Sequence, residues 1–139
     1  MIKTAIASIF GTRQAREVKR LTPLVQQIHK HEELLGGLSE AELKAQTAKF
    51  RAYLADRTGA LKGELDGVRR AKHDCEDPAE RNQLEERAHA IEQDYKKALA
   101  AALEELLPEA FATVREACRR LLGTTVMVTG HEMVWDMVP

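Results

Sequence analysis

Between Leu84 and Ala102, apolar side chains recur alternately four and three residues apart: Leu84, Ala88, Ile91, Tyr95, Ala98 and Ala102. That spacing is a heptad-like seam along one face of a long helix, and such a seam must be covered by another helix. The preceding segment offers Leu61, Leu65 and Val68 at helical spacing, weakened by Gly59, Gly63 and Gly67. His73–Pro78 separates the two stretches as a turn. Asp77 is placed to cap the second helix, with Pro78 at its first position and Glu80 at its third. The pattern predicts an antiparallel helical hairpin, and a mostly α chain.

Composition supports helices over sheets. Aromatics make up 4% of the 139 residues and charged residues 31%, so a thick core is out of reach and helix-on-helix packing in an elongated arrangement fits best. Residues 1–31 hold Lys3, Arg13, Arg16, Lys19, Arg20 and Lys30 against Glu17 alone, a net charge of +5. The whole chain is at −1, which leaves −6 for the rest. A basic arm on an acidic body points to an anionic partner, lipid or nucleic acid. Cys75 and Cys118 lack CxxC spacing and are read as unpaired thiols of a reducing compartment, Cys118 as a small core residue. No apolar run reaches the roughly 20 residues of a membrane span. Ala5–Phe10 is too short for a signal-peptide core, so the expected location is cytoplasmic.

The N-terminus reads as a short amphipathic helix with Ile2, Ala5, Ile6, Ile9 and Phe10 on one face, ended by Gly11. Thr12 can cap a second helix whose stripe is Val18, Leu21, Leu24, Val25, Ile28 and Leu35. Pro23 is expected to bend or restart that helix, with Thr22 as cap. Gly36-Gly37 is a break. Ser39 and Glu42 then form a capping box, and Leu38 and Leu43 stand at the positions of a hydrophobic staple. Pro108 is expected to end the seam helix and open another, with Phe111, Val114, Cys118 and Leu121 inward and Gly123 as the stop. Thr124–Thr129 and Met133–Val138 read as two short strands around Gly130, too little for a sheet of their own. The chain is expected to be truncated at Pro139.

No phosphate loop, dinucleotide fingerprint, nucleophile elbow or zincin motif occurs, so no catalytic, cofactor-binding or metal-ligating residue is assigned. His29 and His31 are two apart on a helix and diverge, which favours solvated histidines over a metal site. Acidic residues alternate with Lys and Arg as on a solvated helix face. The single Trp and two Tyr lie outside the arm, leaving no stacking platform for a nucleic acid. Ile2, Ile6, Ile9 and Phe10 beside Lys3, Arg13 and Arg16 suit a helix in an anionic lipid interface; the plainer reading packs this stripe on the protein itself.

Leu106-Leu107-Pro108-Glu109-Ala110-Phe111-Ala112, continuing Val114-Arg115-Glu116-Ala117 and Arg119-Arg120, resembles the segment preceding the nucleotide site of the SecA preprotein translocase ATPases. Ile9-Phe10-Gly11-Thr12-Arg13 is similar to that family's first break. Leu38-Ser39-Glu40-Ala41-Glu42-Leu43-Lys44, with Thr47, Phe50 and Arg51, is similar to its Leu-Ser-Asp-Glu-Glu-Leu-Lys stretch. Trp135-Asp136-Met137-Val138 resembles the residues before its adenine-reading Gln motif. Together these stretches cover about half of the chain.

The resemblance implies a motor that docks on the SecYEG channel and an anionic phospholipid surface and drives preproteins across by ATP hydrolysis with magnesium. It implies a place on the cytoplasmic face of the bacterial inner membrane. Ile2, Lys3, Ile6, Ile9, Phe10, Arg13, Arg16, Lys19 and Arg20 would then be the membrane- and channel-binding residues. No catalytic residue carries over, because the nucleotide motifs are not in this sequence. Four stretches are expected: 1–35, amphipathic and basic helices; 38–106, the hairpin, with 59–102 inserted relative to typical members; 107–123, a helix leading to the motor domain; and 124–139, an incomplete β segment that begins it. The rival reading is a free-standing helical-hairpin adaptor whose seam pairs with another protein.

Overall fold

The computed structural model describes residues 12–136, so the short helix expected over Ile2–Phe10 and the last three residues lie outside the described residues. Helix α1 spans Arg13–Leu35. Thr12 caps it from an extended backbone, its Oγ1 accepting from the Ala15 N–H at 3.1 Å. The restart expected at Pro23 does not occur. The helix is continuous, and the Thr22 hydroxyl donates backwards to the Val18 carbonyl at 2.8 Å instead of capping forwards. Proline removes one backbone donor, and an exposed ring with intact turns on both sides leaves the rest of the ladder in place.

Helix α2 spans Glu40–Asp74 and opens with the capping box read from the sequence. It passes Gly59, Gly63 and Gly67 without interruption. A Cβ added at any of the three would meet nothing within 4 Å, so their face is open. The opposite face carries Thr58, Leu65 and Val68, all buried, and that packing outweighs the weak helix propensity of the glycines. The buried Thr58 hydroxyl donates to Leu54 O at 2.7 Å. Helix α3 spans Pro78–Leu121, capped by Asp77, whose carboxylate accepts from Ala79 N–H at 3.2 Å and Glu80 N–H at 3.3 Å.

The chain forms two compact units. One is Lys44–Leu107; the other takes in the described residues up to Leu43 and from Pro108 onward. In the first unit, α2 and α3 close as the expected antiparallel hairpin over Leu65, Val68, Ala88 and Ile91, with Leu61 and Leu84 packed beside them. The pair Arg57–Glu105 lies at one end and Lys72–Glu85 at the other, so positions rise on α2 as they fall on α3. Arg69–Glu92 and Arg87–Glu64, both at 2.9 Å, border the seam; such exposed pairs add only a few tenths of a kcal/mol each.

In the second unit, Leu35, Leu43 and Ala112 form the core, with Ile28, Leu38 and Ala117 against it. Leu38 and Leu43 are thus joined as the staple predicts. Two expectations fail here. Helix α3 does not end at Pro108: it runs through, the proline is buried, and the carbonyl it leaves without a donor belongs to the solvent-exposed Glu104. The inward face is also different. Ala112 and Glu116 are buried with Cys118, whereas Phe111, Val114 and Leu121 are 53%, 61% and 42% exposed. The ends of α1 and α2 approach α3 at Ala112, where only a small side chain fits.

After Gly123, whose φ of +78° suits its lack of a Cβ, the chain forms strands β1, Thr125–Val128, and β2, His131–Val134. They pair antiparallel with Val126 opposite Met133. Thr129 and Gly130 form the two-residue turn at φ +49° and +84°. Trp135 N–H donates to Thr124 O at 2.8 Å and Gly123 N–H to Trp135 O at 2.9 Å, extending the ladder back to the end of α3. Among the described residues no third strand joins this sheet.

Candidate docking surface

Of the predicted interface residues, Ile2, Lys3, Ile6, Ile9 and Phe10 lie outside the described residues. Arg13, Arg16, Lys19 and Arg20 stand in the first turns of α1, all exposed. Arg20 is held by Glu17 on its own helix at 2.6 Å. The first turn of α1 has no acidic residue. A helix N-terminus carries about half a positive charge, so basic residues there are unfavourable unless an anion offsets them. At 100° per residue, Arg13, Arg16 and Arg20 occupy an arc of about 60° and Val18, Leu21 and Val25 another of about 60° on a neighbouring face. These three apolar side chains are 66%, 39% and 44% exposed. The structure therefore brings the cations and an open apolar stripe together on one helix.

The other end of α1 is gripped. Arg115 Nε donates to Glu32 Oε1, and His29 Nδ1 lies 2.8 Å from Glu32 Oε2. Burial pushes the Glu32 carboxyl up, but its bonds to Arg115 and His29 outweigh that and hold it below the usual carboxylate range. Glu116, 4% exposed, accepts from Arg119 at 2.6 Å and from Arg120 Nε at 2.7 Å. Arg120 Nη2 in turn donates to Leu35 O at 3.2 Å and Leu38 O at 2.8 Å. These are carbonyls at the C-terminal end of α1 and in the turn beyond it; Leu35 O also accepts from the Leu38 N–H at 3.0 Å. A cleft of about 240 Å³ lies among Glu32, Glu33, Arg115, Glu116 and Arg119, lined by both signs of charge. The sequence marks Arg115, Glu116, Arg119 and Arg120 only as part of a motif. The partners of Arg115 and Arg120 on α1 stand more than eighty residues away, and no local spacing announces that contact.

Among the described residues there is no cluster of three or more metal-ligating side chains, and no helix is long and apolar enough to cross a membrane. The site is a surface and its clamp: an exposed cationic and apolar helix fixed at one end to a helical scaffold.

The family model described as the SecA DEAD-like domain matches residues 6–130. The chain is 35% identical over 138 residues to the protein translocase subunit SecA of Chlorobaculum tepidum, an alignment that takes in 96% of this chain and 13% of that relative. It is 34% identical over 154 residues to the Salinibacter ruber subunit, with the same shares, and 36% identical over 133 residues to that of Pelodictyon phaeoclathratiforme, across 94% of this chain and 13% of the relative. No solved structure matches the chain. The chain belongs to the SecA family, and spans 13% of the length of these relatives.

Proposed function

We propose that this chain is the docking portion of a SecA-type motor that exports preproteins through the SecYEG channel by ATP hydrolysis. ATP and magnesium belong to the whole motor, and no residue here is assigned to hold either. The chain serves on the cytoplasmic face of the inner membrane. Ile2, Lys3, Ile6, Ile9, Phe10, Arg13, Arg16, Lys19 and Arg20 meet the anionic phospholipid surface and the channel. The observation that carries this reading is the basic start of α1, whose first turn has no acidic residue, beside the open stripe Val18, Leu21 and Val25. Anionic headgroups offset the charge while the apolar face enters the interface.

The second unit also exposes Phe111, Val114 and Leu121 on α3 and Met127 and Met133 on the β-hairpin. We assign that surface to the remainder of the motor domain. The adaptor reading loses its motive, because the seam it needed is closed within the chain. In the hairpin unit only Leu103 and Leu107 remain as exposed large apolar residues among those described.

Co-sedimentation with phosphatidylcholine vesicles, with and without phosphatidylglycerol, tests the membrane part. Binding is expected only with phosphatidylglycerol and is lost when Arg13, Arg16, Lys19 and Arg20 are replaced by Gln. Equal binding to both vesicles, or binding untouched by the four substitutions, overturns it.

A further inference from the structure

We propose that α1 is a hinged arm, held at its C-terminal end by an ionic joint and free to swing about Gly36-Gly37. Three observations converge. First, α1 gives the core little: Leu35 is buried and Ile28 packs beside it, while every residue from Arg13 to Pro23 is exposed. A helix of that length with no packed face is marginal in water. Second, what holds α1 is polar. Arg120 grips Leu35 O and Leu38 O and is itself fixed by the buried Glu116, while Arg115 grips Glu32. Charge-assisted hydrogen bonds of this kind are roughly twice as strong as neutral ones and weaken steeply once their geometry is lost. Third, two consecutive glycines follow α1 directly. A Cβ at Gly36 would touch Glu32 O, Arg119 Nη2 and Glu33 O at 3.4, 3.6 and 3.8 Å. One at Gly37 would meet only Leu34 O, at 3.9 Å, so Gly37 is the looser of the two and its lack of a Cβ widens the dihedral angles open to it.

The joint therefore has two states. With Arg120 and Arg115 both seated, the C-terminal end of α1 is tied to α3; with both unseated, α1 is left to the glycine pair and the packing of Ile28 and Leu35. Arg120 is a positioning residue that acts through the carbonyls of α1. The device does not depend on what the arm binds, so its test is separate from the vesicle experiment.

Hydrogen exchange read by mass spectrometry on the 139-residue chain tests it. Arg120→Gln is expected to speed exchange over Ile28–Leu35 about tenfold or more, as the loss of bonds to a charged group predicts, and to leave Leu61–Ile91 of the hairpin unit unchanged. Unchanged protection over Ile28–Leu35 overturns the proposal, and so does an equal loss over Leu61–Ile91, which makes Arg120 a general folding residue. The pair Glu32 and Arg115 gives a second reading through Glu32→Arg, Arg115→Glu and the two together. The single variants are expected to loosen Ile28–Leu35 and the double variant to restore it. A double variant no tighter than either single one overturns the joint.

Discussion

Ser39 and Glu42 exchange hydrogen bonds across the first turn of α2. The Ser39 N–H reaches Glu42 Oε2 at 2.8 Å, and the Glu42 N–H reaches Ser39 Oγ at 3.3 Å. Two donors that a helix start leaves without partners are satisfied by one pair of side chains. The same turn carries Leu38 and Leu43 into the core with Leu35 and Ala112, so the cap also aims the chain. Ser39→Ala is expected to lower stability by about 1 kcal/mol, read as a lower denaturant midpoint. Ser39→Asp, which can still cap, is expected to retain most of it.

Acid should weaken the fold through its bonded carboxylates. Bonds from Ser39 hold Glu42 below the usual range, and bonds and charge from Lys96, then Arg69, do the same for Glu92. Glu32 is lowered despite burial, by Arg115 and His29. A lowered carboxylate stabilises the fold fully above its unfolded pKa, about 4.3 for Glu, and that contribution is lost as pH falls through the folded value. The denaturant midpoint is expected to fall below about pH 4 and to show no slope from these groups above about pH 5. Glu32→Gln should shrink the fall at acid pH.

The outward turn of α3 beyond Pro108 has a direct mutational signature. If Phe111 were a core residue, Phe111→Ser would cost about 3–5 kcal/mol. At 53% exposure it is expected to change stability by no more than about 0.5 kcal/mol. Ala112→Leu, at a fully buried small position, is expected to cost about 1–3 kcal/mol by overpacking. Equilibrium denaturation of the two variants reads the direction of the face.

The hairpin seam depends on a few aliphatic contacts. Ile91 is 8% exposed and packs with Leu65, Val68 and Ala88, so Ile91→Ala is expected to cost about 2–4 kcal/mol. Exchange protection should fall first over α2 and α3 between Leu61 and Ile91.

Thr129 is β-branched and sits at φ +49°, a conformation that costs most side chains about 1–2 kcal/mol. With Gly130 it fills a turn that favours Asn-Gly. Thr129→Asn is expected to slow amide exchange at Val126 and Met133 severalfold; faster exchange would mean the threonine hydroxyl matters more than its backbone strain.

The elements set by local chemistry were legible in the sequence. Thr12, Ser39 with Glu42, and Asp77 each satisfy donors one turn away, so their identities alone place three helix starts. The seam Leu84–Ala102 demanded a partner, and the segment carrying Leu61, Leu65 and Val68 was the one within reach. The cationic start of α1 was equally plain, because charge needs no packing to be counted.

What the tertiary structure decided was where helices continue and which way they face. Pro23 and Pro108 end helices by local rule, yet one lost hydrogen bond is small beside the flanking turns in helices of 23 and 44 residues. The face of α3 that includes Phe111 and Val114 has the apolar periodicity of a core, but α1 and α2 meet α3 at Ala112 and Glu116 instead. Only the approach of distant segments selects between two such faces. The grip of Arg120 on Leu35 and Leu38 has the same origin: a guanidinium has no sequence spacing to a carbonyl eighty residues away, only a distance in space.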